Sequence, residues 1–117
     1  MVQEFSGDRN DFLEILKTNP GVMIFKYTAD WCSPCKSIKP LIDEQFKRLC
    51  SDTMKCFEVD VDECFDLFAY MKTKKMVKGI PTIMAYKKDN ESFVADDSIS
   101  GTDVNEINAF FERCQKM

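Results

Sequence analysis

The chain is 117 residues long, 44% apolar and 31% charged with net charge −4, which suits one packed domain over 1–117 and is too short for two. The acidic balance excludes a sequence-independent grip on nucleic acid, which needs a basic face. No stretch is long and apolar enough to cross a bilayer and residues 1–8 hold no apolar core of signal-peptide length, so a cytoplasmic location without membrane attachment is expected.

Residues 2–5 read as a short first strand. Asp8 is placed to cap a helix running to about Thr18, with Phe12, Ile15 and Leu16 on one face. Asn19-Pro20-Gly21 then breaks it. Val22 to Tyr27 is a near-continuous apolar run, the pattern of a central strand covered on both faces. After it come Ala29-Asp30-Trp31-Cys32-Ser33-Pro34-Cys35-Lys36 and a helical pattern through about Leu49, with Ile38, Leu41, Ile42 and Phe46 in register. Met54 to Val59 is the next predicted strand, and Asp62 is expected to cap a helix carrying Phe65, Leu67, Phe68 and Met71. Following Pro81, Thr82 to Tyr86 reads as a strand that a turn over 87–91 sends back into a second, Ser92 to Ile99. Thr102 is expected to cap the last helix, whose apolar stripe is Val104, Ile107, Phe110 or Phe111, and Cys114. Strands alternating with helices, then a hairpin and a helix, imply an α/β sheet with helices on both faces.

Chemistry concentrates where the central strand feeds the long helix through Cys32 and Cys35, separated by two residues. At a helix N-terminus the unpaired N–H groups and the positive dipole end favour a thiolate. Cys32 is therefore expected to be the exposed nucleophile, its pKa lowered from about 8.5 toward 7 or below. Cys35, a turn inside and more buried, is close enough to close a small Cys32–Cys35 disulfide ring. Such a dithiol attacks a disulfide through Cys32, forms a mixed disulfide, and releases reduced product when Cys35 attacks the Cys32 sulfur. Pro34 fits the helix start, where its missing N–H costs nothing.

The other four cysteines, Cys50, Cys56, Cys64 and Cys114, do not repeat that spacing, and the chain has no histidine, so no metal site is expected. They read as small buried hydrophobes, with Cys64 near a helix start the best placed for regulation. No glycine-rich nucleotide motif is present.

Trp31-Cys32-Ser33-Pro34-Cys35-Lys36 resembles the Trp-Cys-Gly-Pro-Cys-Lys motif of the thioredoxin family, one substitution apart. Pro40 sits where that family kinks this helix, and Phe57-Glu58-Val59-Asp60-Val61-Asp62 is similar to its third strand. Gly79-Ile80-Pro81-Thr82 resembles its cis-proline loop, and Ser100-Gly101 the approach to its last helix. The resemblance implies the thioredoxin fold: a mixed five-stranded sheet of order 1-3-2-4-5 flanked by four helices. It also implies a monomeric protein-disulfide oxidoreductase with no bound cofactor. Its substrates would be protein disulfides, and its electrons would come from a separate NADPH-dependent flavoprotein reductase. By the same resemblance Pro81 is expected to be cis, keeping metal from bridging the cysteines and freeing the Ile80 backbone to pair with an extended substrate segment. Trp31, Gly79, Ile80, Pro81 and Gly101 would then frame a shallow groove around Cys32, with Trp31 packed beside the dithiol. Ser33, in place of the family's glycine, is expected to face solvent. The segments 62–79 and 87–101 look longer than in compact members of the family. The alternative reading is a protein-binding module of the same fold with little or no turnover.

Lys26 departs from the family pattern. Six residues before Cys32 the family usually places a buried aspartate that helps deprotonate the second cysteine; here that position is lysine, inside the apolar strand. Either Lys26 is buried, pairs with Glu58 on the adjacent strand and stabilises the thiolate, or it snorkels to the surface and does nothing.

Overall fold

Val22–Thr28 forms the axis of the sheet (β2), because Val22 to Tyr27 are all buried and such a run satisfies two covered faces at once. In the computed structural model, which describes residues 2–117, β2 pairs in parallel with β3 (Met54–Asp60) and antiparallel with β4 (Thr82–Lys87). β1 (Gln3–Glu4) adds outside β3 and β5 (Asp97–Ser100) outside β4, giving a five-stranded sheet of order β1-β3-β2-β4-β5, as the resemblance implies. The four helices are α1 (Arg9–Leu16), α2 (Ser33–Leu49), α3 (Phe65–Thr73) and α4 (Val104–Gln115).

Alternation along β2 divides the core into two layers. Met23, Phe25 and Tyr27 face α1 and α3, meeting Phe12, Leu16, Leu67 and Met71. Val22 and Ile24 face α2 and α4, meeting Ile38, Ile42, Phe46, Ile107, Phe110 and Phe111. The first layer is knit by rings. Phe12 lies 4.8 Å from Phe25, 5.5 Å from Tyr86 and 5.9 Å from Phe93, centroid to centroid, within the range where aromatic pairs attract beyond their buried area.

Local capping explains where the elements begin. The Asp8 carboxylate accepts the Asn10 and Asp11 N–H groups while the Asp11 carboxylate accepts the Asp8 N–H, a reciprocal capping box. Past α1, Asn19 donates to the Tyr86 carbonyl and accepts the Gly21 N–H, tying the helix break to β4.

Three boundaries differ from the expectations. Asp62 does not cap α3, which starts at Phe65 after Cys64. Asp60 instead accepts the Asp62 and Glu63 N–H groups, leaving the Asp62 carboxylate to another partner, and Phe65 is exposed rather than facing the core. The last helix is capped by Asp103, not Thr102, through the Glu106 N–H at 3.0 Å; Val104 is exposed, whereas both Phe110 and Phe111 are buried. The return strand starts at Asp97 rather than Ser92. Phe93 turns inward to Tyr70 and Phe12, its carbonyl takes the Tyr86 hydroxyl at 2.7 Å, and the Asp96 carboxylate takes the Lys87 N–H at 2.7 Å. Side-chain anchoring replaces strand pairing there.

Candidate functional site

β2 delivers the chain to a short turn, and α2 begins with Cys32 as its N-cap residue and Pro34 in its first turn. The Cys32 sulfur accepts the Cys35 N–H at 3.2 Å, taking the place a capping oxygen usually fills. Cys35 falls on the buried stripe of α2 with Ile38 and Ile42. The two sulfurs are joined as a disulfide, with Cα atoms 5.2 Å apart, inside the range a disulfide needs.

Cys32, expected to be exposed, is only 4% exposed. Its sulfur is tucked between the start of α2 and the Ile80 carbonyl oxygen, 4.0 Å away. The Ile80–Pro81 peptide is cis, and Pro81 itself is buried. The Gly79 carbonyl accepts the Thr82 hydroxyl at 2.6 Å, and the Pro81 carbonyl accepts the Gly101 N–H at 3.1 Å. Gly101 has φ +96°, a backbone that side chains disfavour, and a Cβ at Gly79 or Gly101 would meet only open space. These residues therefore form one open-sided neighbourhood beside the Cys32 sulfur.

Trp31 is 66% exposed. Its indole N–H donates to the Asp62 carboxylate at 2.8 Å, which holds the ring as a fixed apolar platform. Ser33 is exposed.

Lys26 does not snorkel: its side chain is 2% exposed. Its register partner across the parallel ladder is Glu58, whose Oε1 lies 3.8 Å from Nζ. Lys39 of α2 approaches the same oxygen at 3.9 Å and donates to the Asp43 carboxylate at 2.9 Å. Burial pushes the Lys26 pKa down, while Glu58 and then Asp43 work against that shift and Lys39 adds to it. A cavity of about 260 Å³ is walled by Lys26, Cys35, Lys39 and Glu58 among others. The buried ammonium thus shares a chamber with Cys35, not with Cys32.

Of the remaining cysteines, Cys64 is buried and its thiol donates to the Phe5 carbonyl at 3.3 Å. Burial pushes the Cys56 and Cys114 thiols up to about 12. Sequence reasoning missed Asp62 as the partner of Trp31 and Lys39 as a second cation on Glu58. Only the second left a trace in the sequence, the helical i,i+4 spacing of Lys39 and Asp43.

With this geometry in place, the family model described as Thioredoxin matches residues 4–113. A thioredoxin of Pseudomonas aeruginosa is 36% identical over 77 residues, covering 66% of this chain and 66% of the relative. Mouse thioredoxin is 39% identical over 69 residues, covering 57% of this chain and 58% of the relative. The chain thus spans less than two thirds of the length of these two relatives. Among solved structures, a thioredoxin of Plasmodium falciparum superposes with a TM-score of 0.71 at 27% identity, covering 94% of this chain and 97% of the other.

Proposed function

The chain belongs to the thioredoxin family, and from that premise we propose that it is a thiol–disulfide oxidoreductase that reduces protein disulfides. The observation that carries the reading is the Cys32–Cys35 disulfide at the start of α2, with the Ile80 carbonyl 4.0 Å from the Cys32 sulfur. In the reduced protein, the helix N-terminus stabilises a Cys32 thiolate by about 2 kcal/mol at best. The thiolate attacks a substrate disulfide, and one substrate sulfur leaves and takes a proton. Cys35 then loses its proton and attacks the Cys32 sulfur, forming the Cys32–Cys35 bond and expelling the second substrate sulfur. Two electrons have passed to the substrate.

The substrate segment lies extended along Ile80, where Gly79 and Gly101 leave open space and Trp31 offers its exposed face. A separate NADPH-dependent flavoprotein reductase restores the dithiol, and the chain works as a monomer without a bound cofactor. Lys26 supports the site electrostatically: a cation in the wall of the Cys35 chamber favours thiolate over thiol, stabilises the reduced form, and sets the potential above the roughly −270 mV typical of thioredoxin.

Insulin reduction in the presence of dithiothreitol tests the activity. The wild-type protein is expected to precipitate the insulin B chain faster than dithiothreitol alone, and Cys32→Ser to match dithiothreitol alone. A wild-type rate no faster than dithiothreitol would favour the binding-module reading instead.

A further inference from the structure

Three cysteines gather at the end of α2 remote from the dithiol, about 25 Å along a 17-residue helix. Cys50 is the C-cap of α2 and is half-buried. Cys56 sits on β3 opposite Ile24, completely buried in the layer under α2 and α4 with Phe46 and Cys114. Cys50 packs against this same buried layer, and its nearness is one of the causes, after burial, that push the Cys56 thiol up. The chain between them is already folded back: the Cys50 N–H bonds the Phe46 carbonyl at 2.8 Å and the Ser51 N–H bonds the Met54 carbonyl at 2.9 Å. The Ser51 hydroxyl also accepts the Thr53 and Met54 N–H groups, both at 3.2 Å. The fold thus brings Cys50 back against the layer in which Cys56 is buried.

We infer that Cys50 and Cys56 are a second redox dithiol, separate from Cys32–Cys35, which closes to a disulfide when a hydroperoxide oxidises the chain. The order of events follows from exposure. The half-buried Cys50 sulfur attacks the O–O bond of hydrogen peroxide, takes up one oxygen as a sulfenic acid, and one water leaves. The Cys56 sulfur then attacks the Cys50 sulfur, so that the S–S bond forms, the S–O bond breaks, and the hydroxyl departs as water with the Cys56 proton. One peroxide is consumed, two electrons leave the two thiols and two waters form. Burial keeps Cys56 mostly protonated, which slows the second step. Placement in one packed layer offsets this, since the second step is intramolecular. The product ties the C-terminal end of α2 to β3.

The test uses the full chain carrying Cys32→Ser and Cys35→Ser, so that only the other cysteines report. After hydrogen peroxide, denaturing alkylation and peptide mapping, a Cys50–Cys56 cross-linked peptide is expected, reversed by dithiothreitol, with Cys114 still alkylated. Adding Cys56→Ala to that protein should leave Cys50 as a sulfenic acid that dimedone captures, a label that fades in the parent as the disulfide forms. Should the Cys56→Ala protein not fold, the map of the parent decides alone. Cys50 carried on to sulfinic or sulfonic acid with Cys56 fully alkylated would overturn the inference. So would a Cys50 linked to Cys114 or to a second chain.

Discussion

Lys26→Met keeps the length of the side chain and removes its charge. Lys26 Nζ lies 3.8 Å from Glu58 Oε1, an attraction of about 4 kcal/mol at an effective dielectric of about 20. Desolvating the ammonium costs several kcal/mol in return. Glu58 is not stranded by the change, because its side chain is 26% exposed and keeps Lys39 at 3.9 Å. Stability should therefore move by no more than about 1 kcal/mol in a urea titration, since the lost attraction and the relieved desolvation nearly cancel. The redox effect has no such cancellation, because the thiolate exists only in the reduced protein. One pKa unit on the dithiol is about 1.4 kcal/mol, a tenfold change in the exchange equilibrium, or about 30 mV. Equilibration against a dithiol of known potential at about pH 8, where the buried Lys26 amine keeps more of its charge than at higher pH, should place Lys26→Met up to about 30 mV below wild type. The apparent thiol pKa, read from alkylation rate against pH, should rise by about one unit. If potential and pKa both match wild type, the electrostatic role assigned to Lys26 is wrong.

Asp62→Ala releases the Trp31 indole; because Trp31 is the sole tryptophan, its fluorescence anisotropy should fall, and kcat/KM for insulin should drop while stability changes by under about 1 kcal/mol. Anisotropy equal to wild type would show that the hydrogen bond does not hold the ring. Phe12→Ala opens a cavity at the centre of the aromatic layer and should cost about 3–5 kcal/mol by urea titration; a loss under about 1 kcal/mol would contradict that packing. Cys56 and Cys114 are raised from 9.0 to about 12 by burial, so the stability they confer is present below pH 9.0 and is lost as pH rises toward 12. Urea titrations should show stability falling above pH 9.0 in wild type, less steeply in Cys114→Ala, and an equal slope in both would contradict the burial of that thiol.

The sheet and helices were legible because the hydrophobic periods are strong: Val22 to Tyr27 reads as a covered strand, and Phe12 with Leu16 as a helix face. Strand order was not, since nothing local in β2 says that β3 and β4 flank it; that came from the resemblance. Caps went astray where several acceptors stand close together. Asp60 and Asp62 compete for one turn, and the carboxylate of Asp103 displaces the neighbouring hydroxyl of Thr102 at the start of α4. At the site, the adjacent cysteines announce themselves, but their surroundings depend on distant residues. The Ile80 carbonyl that shields the Cys32 sulfur lies 48 residues on, and the Asp62 that pins Trp31 lies 31 residues on. Lys26 was ambiguous for a physical reason: a strand position fixes where the stem starts, whereas the place of the charge depends on Glu58 and Lys39 across the fold.

Covalent trapping asks most directly which sulfur meets the substrate. Purified Cys35→Ser and Cys32→Ser proteins would each be incubated with an oxidised protein substrate, and the mixed disulfides located by non-reducing electrophoresis and peptide mapping. A persistent adduct is expected on Cys32 in Cys35→Ser, because no second thiol is there to resolve it, and almost none on Cys35 in Cys32→Ser, because that sulfur lies on the inner stripe of α2 with Ile38 and Ile42 while Cys32 stands at the helix start beside Ile80 and the open space at Gly79 and Gly101. An adduct formed faster on Cys35 than on Cys32 would contradict the assignment on which the mechanism rests.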